Sequence, residues 1–419
     1  MVRKLWHQSL APLVLNQWRS LVILALLLAL LTVGLVISNG ELLSGLLLIV
    51  TNPSQLISDY VELAGPGPAL VNAALVALVG FFLLVLLKVD ITGPTVAALF
   101  LMLGFGLFGK NILNIWPIIA GVWLYARAEG VGMRKYILPA LFGTSLGPVV
   151  SMTTFGVGFG IPSGALIGLA AGFVLPPIAS HLLRNHQGHN LYNLGFAAGF
   201  IGIFMAAFLR GFDKQIVAAF LWNTHHTPFF TWLMLVFCLV LTLIGLACNR
   251  WRLTGYRELM AHPGTLVTDF ITLAGFGPAM LNMGVVGLIG LAYLVAVGGA
   301  VNGPTMGGLF TMIGFAAFGK HPRNILPVMF GVWLGTFIFH WSPSAPGALL
   351  AALFGTTLAP LSMQFGWPIG IAAGMIHLMV VHNVGVVQGG LNLYNNGFSG
   401  GLVATAIVAV HRGLRRDEK

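Results

Sequence analysis

Asn-Leu-Tyr-Asn occurs twice in this chain, as NLYNLGF at residues 190–196 and as NLYNNGF at 392–398, each time opening a hydrophobic run. On a helix, residues three apart share a face, which would group Asn190 with Asn193 and Asn392 with Asn395. Amides and phenols are costly in hydrocarbon unless they find partners. Each motif follows a break, NHQGH before Asn190 and VVQGG before Leu391. The motifs would then form first helical turns, where unpaired N–H groups and the positive dipole end favour anions. Asn190, Tyr192, Asn193, Asn392, Tyr394 and Asn395 are therefore candidate binding groups for a polar or anionic solute. The plainer reading is that Asn caps a helix and Tyr anchors it at a membrane interface.

Other polar residues also come in pairs. Gly93-Pro94-Thr95 returns as Gly303-Pro304-Thr305. Pro at a first helical position loses nothing by lacking an N–H, so Thr95 and Thr305 are expected in first turns whose N–H groups face open space. Both are candidates for ligand or ion binding, or simple helix starts. Asn72 and Asn282 are mirrored within apolar runs, as interhelical hydrogen-bonding groups or ligands. Asp59 and Asp269 each precede a short apolar helix and an LAGxGPA phrase. They are candidates for proton or sodium coupling, or caps at an interface. Asp90 has Ala300 as its counterpart, so any role for it is asymmetric. His181, His186 and His189 in one copy and His382 in the other, with His377 nearby, suit a proton relay or a polar pore lining. His181 and His382 are the candidates for coupling. The spacing of these histidines could hold a metal, but no carboxylate or thiolate lies nearby in sequence, so no metal site is expected. Nor is a cofactor or catalytic residue, and without a P-loop, nucleophile elbow or HExxH neither ATP-driven transport nor intramembrane proteolysis has support.

The elements that must position these residues are membrane helices. The chain has 419 residues, 58% hydrophobic and 7% charged, with a mean hydropathy of +0.94. Soluble domains carry about 25% charged residues. Apolar runs near the ~20 residues needed to span a bilayer recur from end to end. Ser20 to Ser38, after Arg3, Lys4 and Arg19, reads as a retained first span rather than a signal peptide. Lys and Arg outnumber Asp and Glu by 20 to 10, but they fall in short loops, which implies a positive-inside membrane protein and no nucleic-acid partner. Cys238 and Cys248 lie in one run, which argues against a disulfide framework.

The chain is written twice. DYVELAGPGPALVNAALV from Asp59 is matched by DFITLAGFGPAMLNMGVV from Asp269, with half of the positions identical. GPTVAALFLMLGFGLFGK from Gly93 is matched by GPTMGGLFTMIGFAAFGK from Gly303, and LFGTSLGPVVS from Leu141 by LFGTTLAPLSM from Leu353. The divisions are 1–49, a basic segment with the first span; 50–210, repeat 1; 211–259, a linker with one span; 260–411, repeat 2; and 412–419, a tail. Runs near 68–88, 93–109, 112–128, 137–152, 160–183 and 190–209, plus the linker span, give an odd number of crossings, so the second repeat is expected to be inverted. An alternative makes 137–160 a re-entrant hairpin. Charge agrees with inversion: Arg127, Arg134 and Lys135 fall inside, while the counterpart loop HWSPSAPG from His340 has neither Lys nor Arg. GKHPRN from Gly319 falls inside and GKN from Gly109 outside. Arg250, Arg252, Arg257 and the tail fall inside, and Arg210 and Lys214 dissent. The fold class is thus an all-α polytopic membrane protein of two inverted repeats, with short, discontinuous helices and about 12–14 membrane segments.

The phrases GPT…FGK, HQGHNLYNLGF and GGLNLYNNGF resemble a bacterial family of multi-pass membrane proteins catalogued as domain of unknown function 1576. The resemblance covers nearly the whole chain after the first span and implies no substrate. The expected function is a transporter in the bacterial inner membrane, with both termini cytoplasmic. It would move a small polar or anionic solute by alternating access. A passive channel for a neutral solute, like those for urea or ammonium, is the alternative, followed by a membrane enzyme or scaffold. The expected partners are the solute or an ion and the lipid bilayer, and a homo-oligomer is compatible with the sequence.

Overall fold

A computed structural model describes residues 2–213 and 220–416, with side chains from 17 to 414; Lys214 and the end of the tail lie outside the described residues. Ten helices are long and apolar enough to cross a membrane, and no strand occurs among the described residues. The first repeat contains α1 (Val2–Ile37), α2 (Pro66–Leu86), α3 (Gly93–Phe105), α4 (Ile115–Ala128), a broken segment Met133–Gly156, α5 (Ile161–His186) and α6 (Asn193–Arg210). The same series returns as α7 (Thr227–Cys248), α8 (Phe276–Ala296), α9 (Gly303–Phe315), α10 (Pro322–Ile338), a broken segment Pro346–Phe365, α11 (Trp367–Gln388) and α12 (Asn395–Arg416).

The span between the expected repeats has a counterpart. α7 packs on α8 as α1 packs on α2, so each helix opens its own repeat and the repeating unit is longer than 50–210. A helix that faces lipid over much of its surface needs only apolar residues, so the sequences of α1 and α7 diverged while their packing did not.

The short helices are centrally placed. α3 starts with a capping box, in which the Thr92 N–H donates to Thr95 Oγ1 at 2.8 Å, and Pro94 fixes the first turn. In α9 the Asn302 N–H donates to Thr305 Oγ1 at 2.8 Å, and the Thr305 N–H to Asn302 Oδ1 at 3.2 Å. Thirteen residues cover about 20 Å at ~1.5 Å each, short of a ~30 Å hydrocarbon core. Every residue of both helices is buried, as helix ends below the membrane surface require.

α3 and α9 pack against each other in opposite directions. Gly93 lies beside Ala317, Gly104 beside Gly307, and Leu107 beside Gly303. A Cβ on Gly104 would sit 2.9 Å from the Gly307 carbonyl oxygen, so only glycine permits this approach. Phe100 and its counterpart Phe310 meet at the centre with ring centroids 6.3 Å apart. α6 and α12 are antiparallel as well, with Asn190 near Gly400, Gly195 near Gly397 and Gly202 near Asn392. Equivalent helices meeting head to tail relate the repeats by an approximate two-fold axis.

The first-turn N–H groups of α3 and α9 do not face open space. Gly93 N–H donates to Asp269 Oδ1 at 2.8 Å, and Gly303 N–H donates to Asp59. Each aspartate also caps its own short helix, Tyr60–Ala64 or Phe270–Ala274, through the N–H two residues on. A carboxylate from one repeat thus sits on a positive helix end of the other.

Candidate functional site

Both FGK phrases turn inward. After α3 the Lys110 N–H donates to Phe105 O at 2.9 Å, and after α9 the Lys320 N–H donates to Phe315 O at 2.9 Å. Asn72 Nδ2 donates to Gly106 O at 2.7 Å and to Lys110 O at 2.9 Å; Asn282 Nδ2 donates to Ala316 O and Lys320 O, both at 2.7 Å. The mirrored asparagines therefore hold the turns that aim the lysines. Both lysines are fully buried, although their position after an apolar run had marked them as loop charges.

Each lysine meets the tyrosine of the opposite repeat. Lys110 Nζ donates to Tyr394 Oη at 2.6 Å, and Lys320 Nζ donates to Tyr192 Oη and, at 2.7 Å, to Thr356 Oγ1. The lysine Nζ atoms also lie over rings, Lys110 at 4.9 Å from the Tyr394 centroid and Lys320 at 4.6 Å from that of Tyr192. Desolvated cation–π contacts contribute ~2 kcal/mol, against several kcal/mol for desolvating an ammonium. No carboxylate completes either group: among the described residues the ion pair is Lys135–Glu129, at the surface.

The NLYN motifs set those tyrosines. Asn190 Oδ1 accepts from the Tyr192 N–H at 3.2 Å, its Nδ2 donates to Gly397 O at 3.1 Å, and the Leu191 N–H donates to Thr357 O. Asn392 Oδ1 accepts from the Tyr394 N–H at 3.0 Å, and the Leu393 N–H donates to Ser145 O. Asn193 Nδ2 donates to Ala179 O at 3.0 Å, and its Oδ1 lies 2.9 Å from His186 Nε2. Asn395 Nδ2 reaches Val381 O at 3.4 Å, while its buried Oδ1 has no protein partner. The breaks before the motifs are tied across repeats too. Leu266 N–H donates to Gly188 O and Leu56 N–H to Gly390 O, both at 3.0 Å. Gly188 and Gly390, at φ +84° and +71°, make these left-handed turns.

A cavity of about 210 Å3 lies where the repeats meet. Equivalent residues line it from both sides: Leu101 and Thr311, Phe105 and Phe315, Phe142 and Phe354, Tyr192 and Tyr394. It extends along one flank past Leu138, Asn193, Leu266 and Val267, and reaches Asn396 toward the other. The counterparts of these four, Leu350, Asn395, Leu56 and Ile57, line a second cavity of about 490 Å3, which borders the first at Asn396 and has neither tyrosine in its wall.

The remaining candidates are dispersed. Thr95 and Thr305 form the capping boxes, and Asp59 and Asp269 cap helices. His382 stacks on Trp341 at 4.5 Å in the second cavity, while His181 borders a hollow beside Pro177 and Phe204. Among the described residues, no three His, Cys, Asp or Glu side chains gather as metal ligands.

A family model described as Protein of unknown function (DUF1576) matches residues 38–211 and 248–413. The chain belongs to this DUF1576 family. The two stretches matched by the DUF1576 model each carry one of this chain's lysine turns and one of its NLYN motifs. No curated protein and no solved structure matches the chain.

Proposed function

We propose that this protein moves a small polar or anionic solute across the bacterial inner membrane, as a secondary carrier working by alternating access. The observation that carries the reading is the central chamber with two equivalent flanks, of which one is continuous with it and the other forms a second cavity that adjoins it at Asn396 without including either tyrosine. Exchanging their roles would present one site to each side in turn. The buried lysines, without a carboxylate, favour a solute that brings negative charge.

The reading takes the repeats as inverted across the bilayer, with both termini cytoplasmic. Antiparallel packing of α3 on α9 and of α6 on α12 supports inversion, as do the basic loops. Removing the buried Lys110 and Lys320 from the charge count leaves Arg323 inside and no basic residue in the counterpart turn, so the asymmetry persists. Cysteine scanning is expected to label Ser344→Cys from outside and leave Gly132→Cys protected. Equal labelling of both from one face contradicts inversion.

The function test is uptake into proteoliposomes. A carrier gives saturable flux that follows an imposed ion gradient. Linear flux insensitive to the gradient assigns the protein to the channels instead. The reading involves no catalytic residue, cofactor or metal.

A further inference from the structure

The central site has a chemistry that narrows its ligand, on the reading that the chamber is the transport site. Its donors are two phenols, one from each repeat, each backed by a buried lysine amine that a bound anion would favour in its ammonium form. A phenol oxygen that accepts from an ammonium keeps its own hydrogen to donate, and its O–H is polarised by the cation behind it. Tyr394 has Lys110 as its partner, while Tyr192 also bonds Thr356, whose own hydroxyl donates to Leu353 O at 2.5 Å, so the Tyr192 hydrogen turns from Thr356 to a ligand on binding. Both phenols border the same cavity, and their repeats are related by an approximate two-fold axis.

A carboxylate matches this arrangement. It has two equivalent oxygens, so it can take one hydrogen bond from each repeat and supply the negative charge the lysines lack. The rest of the chamber is built from Phe105, Phe142, Phe315, Phe354 and leucines, with few polar groups. A strongly hydrated dianion such as sulfate or phosphate would lose its water here without enough donors to replace it. On the measure by which ~10–15 Å3 admits one water, the volume of about 210 Å3 accommodates a small organic molecule.

We propose that Tyr192 and Tyr394, backed by Lys320 and Lys110, form the binding site for a small monocarboxylate with an apolar body, whose carboxylate bridges the two repeats. The apolar body lies among the phenylalanines and points along the open flank.

The test measures binding and flux separately. Purified protein is titrated calorimetrically with acetate, isovalerate, benzoate and octanoate, and with benzamide, sulfate and phosphate as controls. At least one apolar-bodied carboxylate is expected to bind, with benzamide, sulfate and phosphate much weaker. Tyr192→Phe and Tyr394→Phe should each weaken it roughly ten- to a hundred-fold, as expected for a hydrogen bond to a charged group. Lys110→Met and Lys320→Met should abolish binding while leaving the melting temperature unchanged or higher, because an unpaired buried charge is removed. Sulfate binding as tightly as the carboxylates, or no carboxylate binding at all, overturns the assignment. So does unaltered carboxylate affinity in folded lysine variants. Carboxylate binding without flux in proteoliposomes would leave this site standing and overturn the carrier reading. Saturable flux of another solute, unaffected in both lysine variants, would do the reverse.

Discussion

The centre of the molecule and its flanks obey different rules. At the centre the repeats are nearly interchangeable: Lys110 faces Tyr394 as Lys320 faces Tyr192, and Asn72 and Asn282 hold identical turns. At the flanks they differ. Asp59 is fully buried because the chain around Asn223 folds over it, and the Asn223 N–H donates to Asp59 Oδ2 at 2.9 Å. Asp269 has no such cover and is half-exposed. One flank is continuous with the chamber while the other, with His382 and Trp341, is a second cavity that adjoins it at Asn396. A group that must meet one solute from two directions has to look alike in both repeats. The parts that decide which direction is open need not.

Breaking the centre should cost the same from either side. Asn72→Leu and Asn282→Leu each leave two buried carbonyls without a donor, for a loss of about 2–4 kcal/mol by the usual range for unsatisfied groups. Chemical unfolding in detergent measures this, and a large difference between the two variants would break the equivalence of the lysine turns.

The aspartates should differ. Asp59→Asn disturbs acceptors for the Val61, Asn223 and Gly303 N–H groups inside a buried site and is expected to cost about 2 kcal/mol. Asp269→Asn, part-exposed, should cost about half as much. Equal losses would mean that the segment at Asn223 contributes nothing to the asymmetry.

The second amides of the NLYN motifs should follow the same pattern. Asn193 is bonded at both ends of its amide, to Ala179 O and His186, so Asn193→Ala is expected to lose about 1–2 kcal/mol. Asn395 makes one longer bond, and Asn395→Ala should lose about 1 kcal/mol or less. Melting temperature and solute affinity measured on the same preparations separate a positioning role from direct contact. Lowered stability with unchanged affinity makes these amides positioning residues.

The smallest effect belongs to the surface loop after α4. Glu129 accepts from Tyr125 and Tyr136 at 2.5 Å each and from Lys135 at 3.2 Å, which holds its carboxyl at about 2, below the ordinary value of 4.5. A depressed acid contributes above the unfolded value and loses that contribution as pH falls toward 2. Hydrogen-exchange protection around 129–136, taken relative to the intrinsic rate at each pH, should therefore fall between pH 4.5 and 2, while that of the loop from His340, which has no carboxylate, stays unchanged. No change at 129–136 would show that this cluster does not order its loop.

The sequence made the duplication and the short helices readable, because Gly-Pro-Thr marks a helix start and a thirteen-residue apolar run is too short to cross. It also drew attention to Tyr192 and Tyr394. The lysines escaped because a Lys after an apolar run normally marks a membrane surface. Their signal was the identical FGK 210 residues apart, at Lys110 and Lys320, where surface charges had no reason to stay fixed. The aspartate caps across repeats escaped because no local pattern reports a partner 176 residues away, as Gly93 is from Asp269. The pairing of α1 with α7 left no residue-level trace, since lipid asks only for apolarity.

The most direct test of the account asks whether the chamber communicates with one side at a time. Thr311 is buried on α9 and borders the chamber. A Thr311→Cys variant, with the exposed Cys248 replaced by Ser and the buried Cys238 kept, is treated with a membrane-impermeant thiol reagent in right-side-out and inside-out vesicles. The account predicts labelling from one side at rest, and a shift of labelling to the other side when solute or an ion gradient is imposed. Simultaneous labelling from both sides, or the same side under every condition, would contradict alternating access.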